Sequence, residues 1–142
     1  MKEFFDTSVL IAAFWGGHVH HQSSVTRLGA ANRKHSACGT HSLAEVYAVM
    51  TALPVKPAIP PEQALLFVQE VRDRLALVAL DGDEYFAAIQ KSAERGFAGG
   101  RIYDALLLAC AAKVRAQAIY TWNVKHFQAL APELAARIHS PG

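Results

Sequence analysis

Short apolar runs alternate with longer stretches of helical periodicity along this chain, and each run ends in a polar residue or a turn signal. Phe4-Phe5 lead into Asp6-Thr7-Ser8, and Val9 to Ala13 follow. This predicts a short buried strand ending at Asp6, then a helix. Gly16-Gly17 breaks that helix. A polar helical stretch runs from about His20 to Asn32, and Ser36 to Thr40 reads as a second strand. His41-Ser42 opens a helix to about Leu53, with Ser42 as candidate N-cap and Glu45 three residues later. That is the spacing of a capping box.

Pro54, Pro57, Pro60 and Pro61 define a stiff loop. A helix from about Pro61 to Asp73 places Ala64, Val68, Val71 and Leu75 on one apolar face. Leu75 to Leu80 is the third strand. Asp83 is the candidate N-cap of the next helix, where Tyr85, Ile89 and Ala93 stack at four-residue spacing before Gly96, Gly99 and Gly100. Arg101 to Arg115 is apolar nearly all round, so that helix is expected to be buried on more than one side. Ala118 to Tyr120 is a short strand running into Thr121-Trp122-Asn123. A final short helix and an edge strand near Ile138 close the chain. Strands alternating with helices imply one α/β domain over residues 1–142 with a mainly parallel sheet.

Composition narrows the classes. Hydrophobic residues make up 52% and charged residues 18% of the 142 positions, enough for a core and too little charge for a disordered segment. A formal charge of +2 excludes a polybasic binder that holds nucleic acid by charge alone. Cys38 and Cys110 sit in apolar context and read as small buried hydrophobes of a reducing compartment. The N-terminus carries no signal-peptide pattern, and no apolar run nears the ~20 residues that span a bilayer. A soluble, cytoplasmic protein without membrane attachment is expected.

In open α/β sheets, ligands bind outside the carboxyl ends of the strands. Asp6-Thr7-Ser8, Ser42 with Glu45, and Thr121 with Asn123 all fall there, and Asp104 lies one turn into the most buried helix. Each acid has a plain structural use. Asp6 can cap the helix that follows, Glu45 can complete the capping box, and Asp104 can offset the helix dipole. Jointly those uses explain less. The chain has 12 acids, and these interrupt its most apolar stretches. A buried carboxylate is costly unless paired. Two carboxylates ~5 Å apart repel by roughly 3 kcal/mol at an effective dielectric of about 20, so three together want a cation. Oxygen ligands without a Cys–His set favour Mg²⁺ or Mn²⁺. Such a site suits phosphodiester hydrolysis.

Four segments carry a resemblance: Phe4 to Leu10, Ser42 to Val46, Tyr103 to Ala109, and Tyr120 to Phe127. In this order and spacing the chain resembles the PIN-domain nucleases, and among them the VapC-type toxins of toxin–antitoxin pairs. The resemblance implies a Rossmann-like α/β/α sandwich and a Mg²⁺- or Mn²⁺-dependent endoribonuclease acting on RNA. It also implies a homodimer restrained by a VapB-type antitoxin. It assigns Asp6, Glu45 and Asp104 to a catalytic metal site, with Asn123 as a further metal ligand, and gives Thr7, Ser8 and Thr121 supporting roles. The chain departs from the family pattern in its last motif: Asn123 replaces an acid, and His126 stands where an aspartate is often found. One metal ion is therefore expected. Asn123 also raises an alternative, a catalytically silent RNA-binding or regulatory module. A small-molecule enzyme is disfavoured, since no G-x-G-x-x-G or Walker A sequence follows the first strand.

Arg101 and Lys125 neighbour the expected site and are candidate phosphate contacts. Arg27, Arg33, Lys34, Lys113 and Arg115 read as solvated surface. His18, His20 and His21 read as the polar start of a surface helix rather than a Zn²⁺ site. Trp15 and Trp122 read as core.

Overall fold

The computed structural model describes residues Met1–Gly142. Its sheet has the strand order β3-β2-β1-β4-β5. These are β1 (Glu3–Phe5), β2 (Ser36–Gly39), β3 (Ala76–Val78), β4 (Ala118–Tyr120) and β5 (Ile138–His139). Every pairing is parallel, and Phe5 at the centre lies opposite Cys38 on one side and Tyr120 on the other. The helices are α1 (Thr7–Phe14), α2 (His21–Gly29), α3 (His41–Ala52), α4 (Pro61–Arg74), α5 (Gly82–Glu94), α6 (Arg101–Lys113) and α7 (Val124–Leu130). A 3₁₀ segment at Pro132–Arg137 precedes β5.

Successive residues of a strand point to opposite faces, and that alternation splits the core in two. Phe4, Ala37 and Ile119 pack with Leu107, Leu108, Cys110 and Phe127 of α6 and α7. Phe5 and Cys38 pack with Val9, Leu10, Val46, Met50 and Val71 of α1, α3 and α4. The result is the three-layer sandwich expected from the sequence. Fully burying a Phe side chain is worth roughly 1.5–3 kcal/mol, so Phe4 and Phe5 pin β1 between both helical layers. Gly39 marks how closely α6 approaches: a Cβ there would lie 2.7 Å from Leu107 Cδ2.

The helix starts differ from expectation in two places. Asp81, not Asp83, caps α5: its Oδ1 accepts from the Glu84 amide at 2.8 Å, and Glu84 Oε1 accepts from the Asp81 amide at 2.9 Å. The strand before it ends at Val78, short of Leu80, so the helix begins earlier. In α3 the cap position falls to Thr40 and no side chain closes it, so Ser42 lies inside the helix and no capping box forms with Glu45. The periodic stripe on α5 also faces outward. Tyr85 and Ile89 are exposed, Phe86 is 66% exposed, and Ser92 is the one buried residue of that helix. Leu65 and Leu66 of α4 are exposed while Ala64 and Val71 face the core. Cys38 and Cys110 are unpaired and buried. Burial pushes the Cys38 thiol to about 12 and the Cys110 thiol to about 11, so both remain protonated and inert. No helix is long and apolar enough to cross a membrane.

Candidate functional site

The chain leaves β1 toward β2 and β3 on one side and later fills β4 and β5 on the other. The switch point therefore lies at the carboxyl ends of β1 and β4, where open α/β sheets form their sites. Asp6 is the residue after β1. Its amide donates to the Tyr120 carbonyl at 2.9 Å, which extends the ladder and fixes its backbone against β4. Only 3% of Asp6 is exposed. It stands at the N-cap position of α1, yet Thr121 Oγ1 is what holds its carboxylate, donating to Oδ2 at 2.9 Å. Thr121 Oγ1 in turn accepts from the Asn123 amide at 3.0 Å, and Ser8 Oγ accepts from the Trp122 amide at 3.1 Å. Thr121 and Ser8 thus clasp the loop after β4 to the first turn of α1.

Glu45 is held from α1. Thr7 Oγ1 lies 3.0 Å from Glu45 Oε1 and 2.8 Å from Ser42 Oγ. An ionised carboxylate only accepts, so Thr7 donates to Glu45 and Ser42 donates to Thr7. The hydroxyl expected to cap α3 is instead the back of a three-residue relay. Capping fails because the helix starts two residues early and buries Ser42 against Thr7.

Asp104 lies in the first turn of α6, as expected. Its partner is His126, whose Nε2 is 2.9 Å from Oδ2. In the sequence His126 stands out only as a departure from a family pattern. The contact spans 22 positions and has no local signature. Arg101 does not pair with Asp104: its guanidinium lies over the Phe97 ring, 5.9 Å from the centroid. Lys125 is exposed and unpaired, and the Asn123 side chain is exposed at the start of α7. Trp122, expected in the core, is half-buried. It stacks on His20 with centroids 3.7 Å apart, and its Nε1 donates to Ser24 Oγ at 2.8 Å. The histidine cluster therefore starts α2, as expected, and also braces the loop beside Thr121.

Electrostatics single out Asp6. Burial first, and the charge of Asp104 beside it, push its carboxyl from 3.8 to about 6, against the hydrogen bonds of Ser8 and Thr121 that pull it down. No lysine or arginine pairs with any of Asp6, Glu45 or Asp104. Asp6 and Asp104 thus lie within reach of each other's charge, and Glu45 joins them through Thr7. The three do not close into a ready-made cluster: nowhere do three His, Cys, Asp or Glu side chains stand together as a metal cage. The donor set is nonetheless all oxygen, anionic and paired with no lysine or arginine, only with the imidazoles of His126 beside Asp104 and His41 at 4.0 Å from Glu45 Oε1, which fits a hard divalent cation. The larger cavities lie elsewhere. The nearest, about 300 Å³, is walled by Thr40, His41, Val78, Tyr103 and Leu107 and holds none of the three acids.

The PIN domain family matches residues 4–131. Ribonuclease VapC40 of Mycobacterium tuberculosis is 35% identical over 106 residues, 72% of each chain. Ribonuclease VapC27 of the same species is 33% identical over 112 residues, 79% of this chain and 78% of that one. Among solved structures, the Mycobacterium tuberculosis toxin VapC20, which cleaves the sarcin-ricin loop, superposes with a TM-score of 0.72 at 18% identity, over 90% of this chain and 95% of that one. A toxin–antitoxin complex from Klebsiella pneumoniae gives 0.69 at 18%, over 99% and 98%. At such identity the structures speak for the fold, while the family match and the two ribonucleases speak for ancestry. The chain belongs to the PIN-domain family, among its VapC-type ribonucleases.

Proposed function

We propose that this protein is a Mg²⁺- or Mn²⁺-dependent endoribonuclease, the toxin of a toxin–antitoxin pair. One observation carries the metal dependence: Asp6 is buried within reach of the Asp104 charge with no lysine or arginine paired to either, and its carboxyl is lifted to about 6. A buried anion of this kind gains most from a divalent ion. Asp6, Glu45 and Asp104 would hold the ion, with the Asn123 carbonyl oxygen as a neutral ligand. When bound, it lowers the pKa of a water and neutralises charge on phosphoryl oxygens. The chain's own groups do the positioning. Thr121 and Ser8 orient Asp6, and the Ser42–Thr7 relay orients Glu45. Arg101 and Lys125, exposed near the acids, would contact flanking phosphates of the RNA.

The VapC relatives and the toxin–antitoxin complexes of like fold support a VapB-type antitoxin as partner. The outward apolar residues Tyr85, Phe86 and Ile89, with Leu65 and Leu66, offer surface for that partner and for a homodimer. On this reading the protein works in the cytoplasm, where its two thiols stay reduced. The silent RNA-binding alternative is disfavoured, because the sequence relatives are ribonucleases and Asp6, Glu45 and Asp104 are each held by a hydrogen bond. Purified protein should cut structured RNA with Mg²⁺ or Mn²⁺ and stop in EDTA. Cleavage that survives both Asp6→Ala and Asp104→Ala overturns the reading.

A further inference from the structure

Each of the three carboxylates accepts a hydrogen bond from a different element of the fold. Thr121, after β4, holds Asp6; Thr7, on α1, holds Glu45; His126, on α7, holds Asp104. The first two partners are hydroxyls whose supporting role the motifs already suggested. The third is an imidazole. We propose that His126 is the positioning residue of Asp104: its Nε2–H holds Oδ2, fixes the plane of the carboxylate, and leaves Oδ1 available to a divalent cation. This rests on the metal-dependent reading above.

The geometry is specific. His126 is the third residue of α7, and the next residue, Phe127, is buried in the core and closes the first turn by donating its amide to the Asn123 carbonyl at 3.0 Å. The ring therefore starts from a fixed backbone. Across from it, Asp104 makes no other hydrogen bond or ion pair, and Arg101 is turned away over Phe97. Its side chain is 33% exposed. No side chain caps α6 at Gly100, so His126 is the one group that holds the Asp104 carboxylate. The bond does not depend on the charge of the ring. An ionised carboxylate only accepts, so Nε2 carries the proton in the neutral and the cationic ring alike. Oδ2 has one lone-pair direction committed to the imidazole, so Asp104 would meet the ion through Oδ1. Partners that orient ligands in this way typically contribute 10–100-fold in metal affinity.

The test is a calorimetric titration of the full chain with Mn²⁺, comparing wild type, His126→Ala and His126→Gln. The His126 side chain is 40% exposed, so both variants should unfold near the wild-type midpoint. His126→Ala is expected to bind Mn²⁺ about 10–100-fold more weakly. His126→Gln, which keeps an N–H donor, should recover most of that loss. At saturating Mn²⁺ the kcat of His126→Ala for RNA should return to within a few-fold of wild type, because the ring acts through Asp104 and not on the substrate. Long-range ¹⁵N–¹H spectra of the metal-free wild type should place a proton on His126 Nε2. Wild-type Mn²⁺ affinity in His126→Ala, or a Gln variant as weak as the Ala variant, overturns the proposal. So does a neutral ring protonated on Nδ1 alone. A wild type that neither binds Mn²⁺ nor cleaves RNA refutes the nuclease reading beneath it, which is a distinguishable result.

Discussion

Thr121 Oγ1 donates to Asp6 Oδ2 at 2.9 Å, joining the loop after β4 to the end of β1 across 115 positions of sequence. The two strands are already neighbours in the ladder, so the bond needs no long side chain and no flexible loop. It works against the burial that otherwise drives Asp6 toward its neutral form. Thr121 is itself fully buried, which leaves its hydroxyl no water as a substitute partner.

Thr121→Val keeps the shape of that side chain and removes the donor. The unfolding free energy should fall by about 1–3 kcal/mol, the usual cost of leaving a buried polar group unsatisfied. Asp6 should titrate still higher than about 6, and Mn²⁺ affinity should drop about 10-fold or more. Urea unfolding and calorimetry on the same preparation check both. Thr121→Ser should restore most of each.

Asp6 makes metal-free stability depend on pH. Its carboxyl is about 6 in the fold against 3.8 as a free group, so the folded state binds the proton more tightly than the unfolded state. The contribution is therefore fully present below pH 3.8 and is lost as pH rises through about 6. A rise of about 2 pH units corresponds to about 3 kcal/mol at 1.36 kcal/mol per unit. In EDTA, Asp6→Asn should be more stable than wild type at pH 7.5 by up to that amount, with the gap closing by pH 4. Mn²⁺ should stabilise wild type and leave Asp6→Asn unmoved. Equal stabilities at pH 7.5 would count against a strained Asp6.

Thr7→Val cuts the relay from Ser42 to Glu45. Ser42 is then left without a partner in a buried setting, so stability should fall by about 1–2 kcal/mol. Glu45 is left without the donor that orients it, and RNA cleavage should fall about 10-fold or more. Thr7→Ser keeps the hydroxyl and should retain most activity. A Val variant with wild-type kcat/KM would remove Thr7 from the site.

Arg101→Ala and Lys125→Ala should each raise KM for RNA several-fold and leave kcat nearly unchanged. Removing one cation from a phosphate should also reduce the slope of log KM against log salt by about 0.7 on single-stranded RNA. Slopes identical to wild type in both variants would place the phosphate track elsewhere on the surface.

Much of this protein was legible without coordinates, because the signals involved are local. The alternation of apolar strands with helices set the α/β class, and adjacent Phe4 and Phe5 marked a strand buried on both faces. Asp6 and Asp104 stood out because a carboxylate amid apolar residues demands an explanation. Local signals failed wherever the outcome depended on a shift of one or two residues or on a distant partner. Ser42 and Glu45 had the spacing of a capping box, yet α3 begins two residues early and Thr7 takes both side chains. Asp81 rather than Asp83 caps α5 because β3 ends sooner than its apolar run. The Tyr85–Ile89 stripe has core periodicity but faces outward, since periodicity shows that a face exists and not what covers it. The pairing of His126 with Asp104 joins α7 to α6 with no local sequence signature. Which acids have no ordinary place in a core follows from the order of residues alone. Which donor holds each acid does not, because those hydrogen bonds span 22 to 115 positions and exist only once strands and helices have packed.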